Sequence, residues 1–196
     1  MSDVILAVCA GIALAAACGF RVFVPLLGLS VATATNAVTP AAGWEWVGSG
    51  PAIVTLAVAT VAELAGYYVP WVDHLLDTIA TPTAVAAGTV AAGVVLPVDE
   101  PWLRWVAATI TGGGAAGAVQ SATVLARGVS GTATAGLGNW VVATIENVAS
   151  FVLSVLAILV PIVAAIVVIA ILVYVVRNGR RVMQFFRGRR AAPDAV

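Results

Sequence analysis

The chain has 196 residues, of which 62% are hydrophobic and 9% charged, with a mean hydropathy of +1.08; a soluble domain averages about half apolar and a quarter charged, so the composition excludes one and points to an integral membrane protein. At about 20 apolar residues per span, the length holds about six transmembrane segments, range roughly five to seven, and no sizeable soluble domain. Formal net charge is zero, but there is no Lys, and six of the nine Arg lie between Arg177 and Arg190, directly after the most hydrophobic segment, which by the positive-inside rule places the C-terminus in the cytoplasm.

The first apolar run, 4–20, is preceded only by Asp3. It lacks the basic start of a signal peptide and reads as a retained span. Cys9 and Cys18 inside it have no His or Cys at metal-ligand spacing, and are read as small packing residues. Arg21 and Pro25 then punctuate 35 residues that are otherwise apolar or small. The run 22–38 is only just long enough to cross, and is either a short span or a re-entrant half-helix. Trp44-Glu45-Trp46, amid Gly and Pro, marks a membrane interface.

The span 51–69 carries Glu63 about two thirds of the way along, on a helical face with Ala59, Thr60, Gly66 and Tyr67. A carboxylate there is either a proton or cation site, or a partner for Arg21 or Arg127. The segment 70–82, with Asp73, His74 and Asp77, is expected to be an acidic solvated connection; a weak metal site is the other reading, and one turn supplies too few ligands for it. A weakly hydrophobic span over 83–98 ends at Asp99, Glu100, Pro101 and Trp102, and the next, 103–126, turns polar and Gly-rich.

From Arg127 to Glu146 runs RGVSGTATAGLGNWVVATIE, in which Gly128, Gly131, Gly136 and Gly138 are expected to interrupt any continuous helix. Thr132, Thr134, Asn139 and freed backbone carbonyls would supply oxygen ligands. Broken helices of this kind form transport sites where they line a cavity; the other reading is an exposed loop. The uncharged segment 148–176 has one break at Pro161, and a straight helix from Glu146 to Arg177 would be about 46 Å long against a hydrocarbon core of about 30 Å. It must tilt and kink at Pro161, or project past the interface, or consist of two segments meeting at the proline.

Ala10-Gly11 to Arg21 and Ala116-Gly117 to Arg127 share a starting dipeptide and the ten-residue spacing from Gly to Arg, and each is followed by a punctuated stretch and a helix bearing a Glu, Glu63 or Glu146. The repeat is weak because the Arg-to-Glu spacings differ. It suggests inverted halves near 4–98 and 103–177 with re-entrant or broken helices at corresponding positions, inside one transmembrane domain, 1–177, and a basic cytoplasmic tail, 178–196.

The phrases GIALAAACGFRVFVPLL (Gly11 to Leu27), ELAGYYVPWVDHLLD (Glu63 to Asp77) and TAGLGNWVVATIE (Thr134 to Glu146) resemble a bacterial membrane family known as domain of unknown function 4126. The resemblance implies a small polytopic protein and leaves activity open. In that family's pattern an acidic residue and a Lys follow the Glu, and a Pro follows the Asn; Tyr67-Tyr68 and Trp140 stand there in this chain.

The sequence therefore predicts an all-α polytopic protein of the bacterial inner membrane. Its expected function is that of a secondary transporter or channel for a small solute or ion, with Glu63 and Glu146 as proton or cation groups, Arg21 and Arg127 as counter-charges, and Asn139, Thr132 and Thr134 as ligands. The alternative is a non-transporting scaffold or lipid-interacting protein whose charges only pair internally. No Cys/His cluster, nucleotide-binding glycine loop or serine motif suggests an enzyme, a cofactor or a bound metal. Membrane lipid is the expected partner, with anionic headgroups along the Arg-rich tail; self-association is left open, and nucleic acid is not expected.

Overall fold

The computed structural model describes residues 2–134 and 138–190, and every regular element among them is helical. In chain order these are α1 (Ser2–Cys18), α2 (Phe23–Ala34), a 3₁₀ turn (Glu45–Gly48), α3 (Gly50–Gly66), α4 (Pro70–Val95), α5 (Pro101–Ala108), a π turn (Thr109–Gly113), α6 (Gly114–Thr134), α7 (Asn139–Leu159) and α8 (Pro161–Arg190). Among the described residues, two stretches are long and apolar enough to cross a membrane, Leu75–Val95 in α4 and Asn139–Leu159, which is α7; the apolar stretches in α1, α2, α3 and, over Pro161–Val175, α8 are shorter. At 1.5 Å per residue, the 12 residues of α2 reach about 18 Å, short of a full crossing.

The centre of the bundle is α1, which packs against α2, α4, α6, α7 and α8. Ala13, Leu14, Ala15, Ala16, Ala17 and Cys18 are wholly buried. Their small side chains let five neighbours approach one helix, as interhelical packing by small residues requires. Beside it α4 crosses the π turn, where the extra residue swings Gly112 and Gly113 against α4. A Cβ on Gly88 would lie 2.5 Å from that of Ala116, and one on Gly112 would run into the Gly88 carbonyl oxygen and the Ala92 side chain. Glycine is required on both sides of this crossing.

Two expectations change, and one open alternative is decided. The segment 70–82 is no connection, because α4 starts at Pro70 and runs through Pro82 to Val95. Pro70 suits the first turn of a helix, and the helix tolerates Pro82 in its interior. Gly128 and Gly131 do not interrupt α6, which continues to Thr134; glycine costs a helix only about 1 kcal/mol, and packing overrides that. Gly136 lies outside the described residues. The long hydrophobic segment divides at Val160, whose non-helical backbone joins α7 to α8 at Pro161, so two segments meeting at the proline is the outcome.

The two ends of the bundle differ in chemistry. At one end Trp44 packs 5.3 Å from Trp105 and 6.2 Å from Trp46, and Trp46, Trp102 and Trp105 are exposed. Here buried Arg104 donates to the carbonyls of Val98 (2.7 Å), Ala42 (2.8 Å) and Asp99 (3.4 Å), tying the connections before the 3₁₀ turn and before α5 together. Pro161 shares a cavity with Leu6, Ala10 and Val95, so α8 starts at this end. The opposite end collects the C-terminal ends of α1, α3 and α6 and the first turns of α4 and α7.

The glycine crossing carries a direct test in detergent, with thermal unfolding followed by circular dichroism. Gly112→Val should cost about 1–3 kcal/mol or abolish folding through overpacking. Gly114→Ala, two residues on, meets no atom within 4 Å and should be neutral or stabilising by up to about 1 kcal/mol.

Candidate functional site

Between α1 and α2 the chain must turn within four residues, and Gly19 makes this possible: a Cβ there would lie 2.5 Å from the Ala116 carbonyl oxygen. Arg21 follows, 1% exposed, and then α2 starts without a side-chain cap of its own. Helix starts leave N–H groups unpaired. Pro25 removes one of these donors, and the carboxylate of Glu63, from α3, takes two: the Val22 N–H donates to Oε1 (2.7 Å) and the Phe23 N–H to Oε2 (2.9 Å). Glu63 thus caps, from α3, the start of a helix some 40 residues earlier in the chain, and its carboxylate sits at the positive end of that helix. It is buried, and no ion pair joins it to Arg21 among the described residues.

The arginines meet at the other glutamate. Arg21 Nη1 lies 2.9 Å from Glu146 Oε2. Arg127 grips the same carboxylate with two atoms, Nε to Oε1 at 3.1 Å and Nη2 to Oε2. Its third nitrogen, Nη1, lies 2.8 Å from Asp77 Oδ1 on α4. Arg21 is further held by the carbonyls of Phe20 and Ala143, both at 3.1 Å, and by Asn147 Oδ1. Both guanidiniums lie over the Tyr67 ring, 3.8 Å and 4.2 Å from its centroid, an arrangement that suits cations to an aromatic face.

Arg21, Arg127 and Glu146 are 1%, 5% and 3% exposed, so each would be costly alone. Paired and hydrogen-bonded as they are, they form a connected network across the turn after α1 and helices α4, α6 and α7. Asp77 is the open side, with its side chain 27% exposed. A second polar chain leads outward from Arg21: Asn147 Nδ2 donates to the Tyr68 hydroxyl (3.3 Å), which is 3.0 Å from the Thr144 hydroxyl, and both Tyr68 and Thr144 are exposed. Asn147 also borders an open apolar groove of about 760 Å³ between α2, α3 and α7, lined by Leu27, Gly28, Thr60, Leu64 and Phe151 among others.

Of the residues expected to form the site, the structure brings Arg21, Arg127 and Glu146 into one contact and places Glu63 beside them in a different role. Asn139 starts α7 two turns before Glu146, and its buried Oδ1 has no hydrogen-bond partner among the described residues. The side chains of Thr132 and Thr134 lie outside the described residues. Sequence reasoning assigned Asp77 to a solvated turn and passed over Asn147. Continuing the helical pattern back through 70–82 would have put Asp77 on a helix, and Asn147 was signalled only by its place next to Glu146. Among the described residues, no group of His, Cys, Asp and Glu is placed to hold a metal ion.

No curated protein and no solved structure matches the chain. The model of one protein family does, over residues 8–181, a range that takes in every member of the network and the Glu63 cap. The chain belongs to that family, described as domain of unknown function 4126.

Proposed function

We propose that this chain is a multi-pass protein of the cell membrane and works as a small secondary transporter or channel for a small solute or ion. The membrane reading is supported by where residue types lie: α7 buries Ala143, Glu146, Ser150 and Ser154 and exposes Trp140, Val141, Ile145, Phe151 and Leu159, and α3 buries Thr60 and Glu63 while exposing Val54, Val58 and Val61. A large apolar surface, with polar and charged residues turned inward, fits lipid surroundings and does not fit water. The positive-inside rule applied to the Arg-rich tail puts the C-terminus, and with it the Arg21–Glu146 end, on the cytoplasmic side. Lipid is then the main partner, with anionic headgroups along the tail. No catalytic role is assigned.

The observation that carries the transport reading is the shared carboxylate. Two buried guanidiniums converge on Glu146, and one of them also reaches Asp77, a more accessible acid on a different helix. Arg127 therefore has two acidic partners on different helices, one buried and one more accessible. Exchange between them is the kind of two-state contact that a gated pathway needs. The scaffold reading has its own support in Glu63, whose oxygens are spent on the start of α2; that glutamate is removed here from the transported-ion site and given a structural role.

Two outcomes follow. In reconstituted vesicles, proton flux under imposed gradients of sodium, potassium or formate should exceed that of protein-free vesicles and fall by about tenfold or more, equivalent to about 1.4 kcal/mol of barrier, in both Asp77→Asn and Glu146→Gln. Wild-type flux no greater than that of empty vesicles, or two folded variants that match the wild type, would leave only the scaffold. Glu63→Ala should lower unfolding stability by about 1–3 kcal/mol, because it strands two buried N–H groups, and Glu63→Gln, which keeps one acceptor oxygen, should recover part of that loss.

A further inference from the structure

We infer that Arg21 and Arg127 form a binding site for a small monovalent oxyanion, and that the Glu146 carboxylate occupies this site as a built-in competitor. The inference names a substrate class for the site above and rests on the transport reading only for the consequence of binding, not for binding itself.

The geometry is that of a carboxylate receptor. Arg127 presents Nε and Nη2 side by side to the two oxygens of one carboxylate, and Arg21 adds Nη1 on Oε2. Bidentate pairing of this kind selects a planar or tetrahedral oxyanion over a spherical ion. Both guanidiniums are also anchored independently of Glu146: Arg21 by the carbonyls of Phe20 and Ala143 and by Asn147, Arg127 by Asp77, and both by the Tyr67 ring. They would stay in place if the glutamate side chain swung away, and binding to such a preorganised pair costs little reorganisation. Residue 146 supplies one negative charge, so a ligand that replaces it without a net change in charge is a monoanion.

The acids on the arginines are Glu146, which both hold, and Asp77, which Arg127 alone holds. Glu63 is committed to the α2 start. Glu146 is therefore the group an incoming anion must displace from both guanidiniums, and removing its charge should open the site.

The test uses the full chain purified in detergent, with formate as the probe, formamide as its neutral counterpart and chloride as the spherical anion. Binding is read by calorimetry and by the rise in unfolding temperature. Glu146→Gln should bind formate at least about tenfold tighter than the wild type, and Arg127→Gln should not bind it. Formamide should have no effect, and chloride a weaker one. If Glu146→Gln fails to fold, Glu146→Ala takes its place, and formate should raise the unfolding temperature of whichever of the two folds. Absence of saturable formate binding to a folded Glu146 variant, binding no tighter there than in the wild type, or binding that survives in a folded Arg127→Gln would overturn the inference. Since no vesicle is involved, formate binding without flux would refute transport and leave the site standing, and flux without formate binding would do the reverse.

Discussion

Two arginines enclosed in an apolar bundle must be answered by negative charge, and the arrangement of this end of the molecule follows from that requirement. A buried charge left without a partner costs several kcal/mol, so Arg21 and Arg127 draw together the elements that can supply oxygen. Glu146 comes from α7, Asp77 from α4, the Ala143 carbonyl from one turn before Glu146, and the Tyr67 ring from the end of α3. The central helix α1 ends in this cluster. Its small residues bring the surrounding helices close enough for side chains of α4, α6 and α7 to meet beside the turn that follows it.

Glu63 and Glu146 show how the same residue type takes different roles through its neighbours. Both are buried glutamates on apolar helices. One faces the start of α2, where backbone N–H groups supply the positive end, and the other faces two guanidiniums. The first arrangement is fixed, since its partners are main chain. The second joins side chains from different elements, and each arginine keeps other contacts besides Glu146.

Much of this was legible in the chain. Composition and residue spacing gave the helical class, the break at Pro161, and Arg21, Arg127 and Glu146 as charges that must find partners. The pairing of Arg21 with Glu146 was not legible, because it joins residues 125 positions apart through the way α7 lies on the turn after α1. Asp77 was hidden by the prolines at 70 and 82, which read as the bounds of a loop and are instead the first turn and an interior residue of α4. Gly128 and Gly131 misled in the same way, since a glycine lowers helix propensity by an amount that packing readily offsets. Cap formation by Glu63 is another long-range event, and its only local sign was a helix start at Phe23 with no capping side chain.

The central claim is that Arg21 and Arg127 share Glu146, and a double-mutant cycle on unfolding stability tests it most directly. Arg21→Gln, Glu146→Gln and the double variant would be compared in detergent, with the cycle repeated for Arg127. Each cycle should give a coupling energy of about 0.5–3 kcal/mol, the larger for Arg127, which holds the carboxylate with two atoms, and each double variant should be less impaired than the sum of its single changes. Additive losses in both cycles would contradict the account, since residues that do not share a contact do not couple.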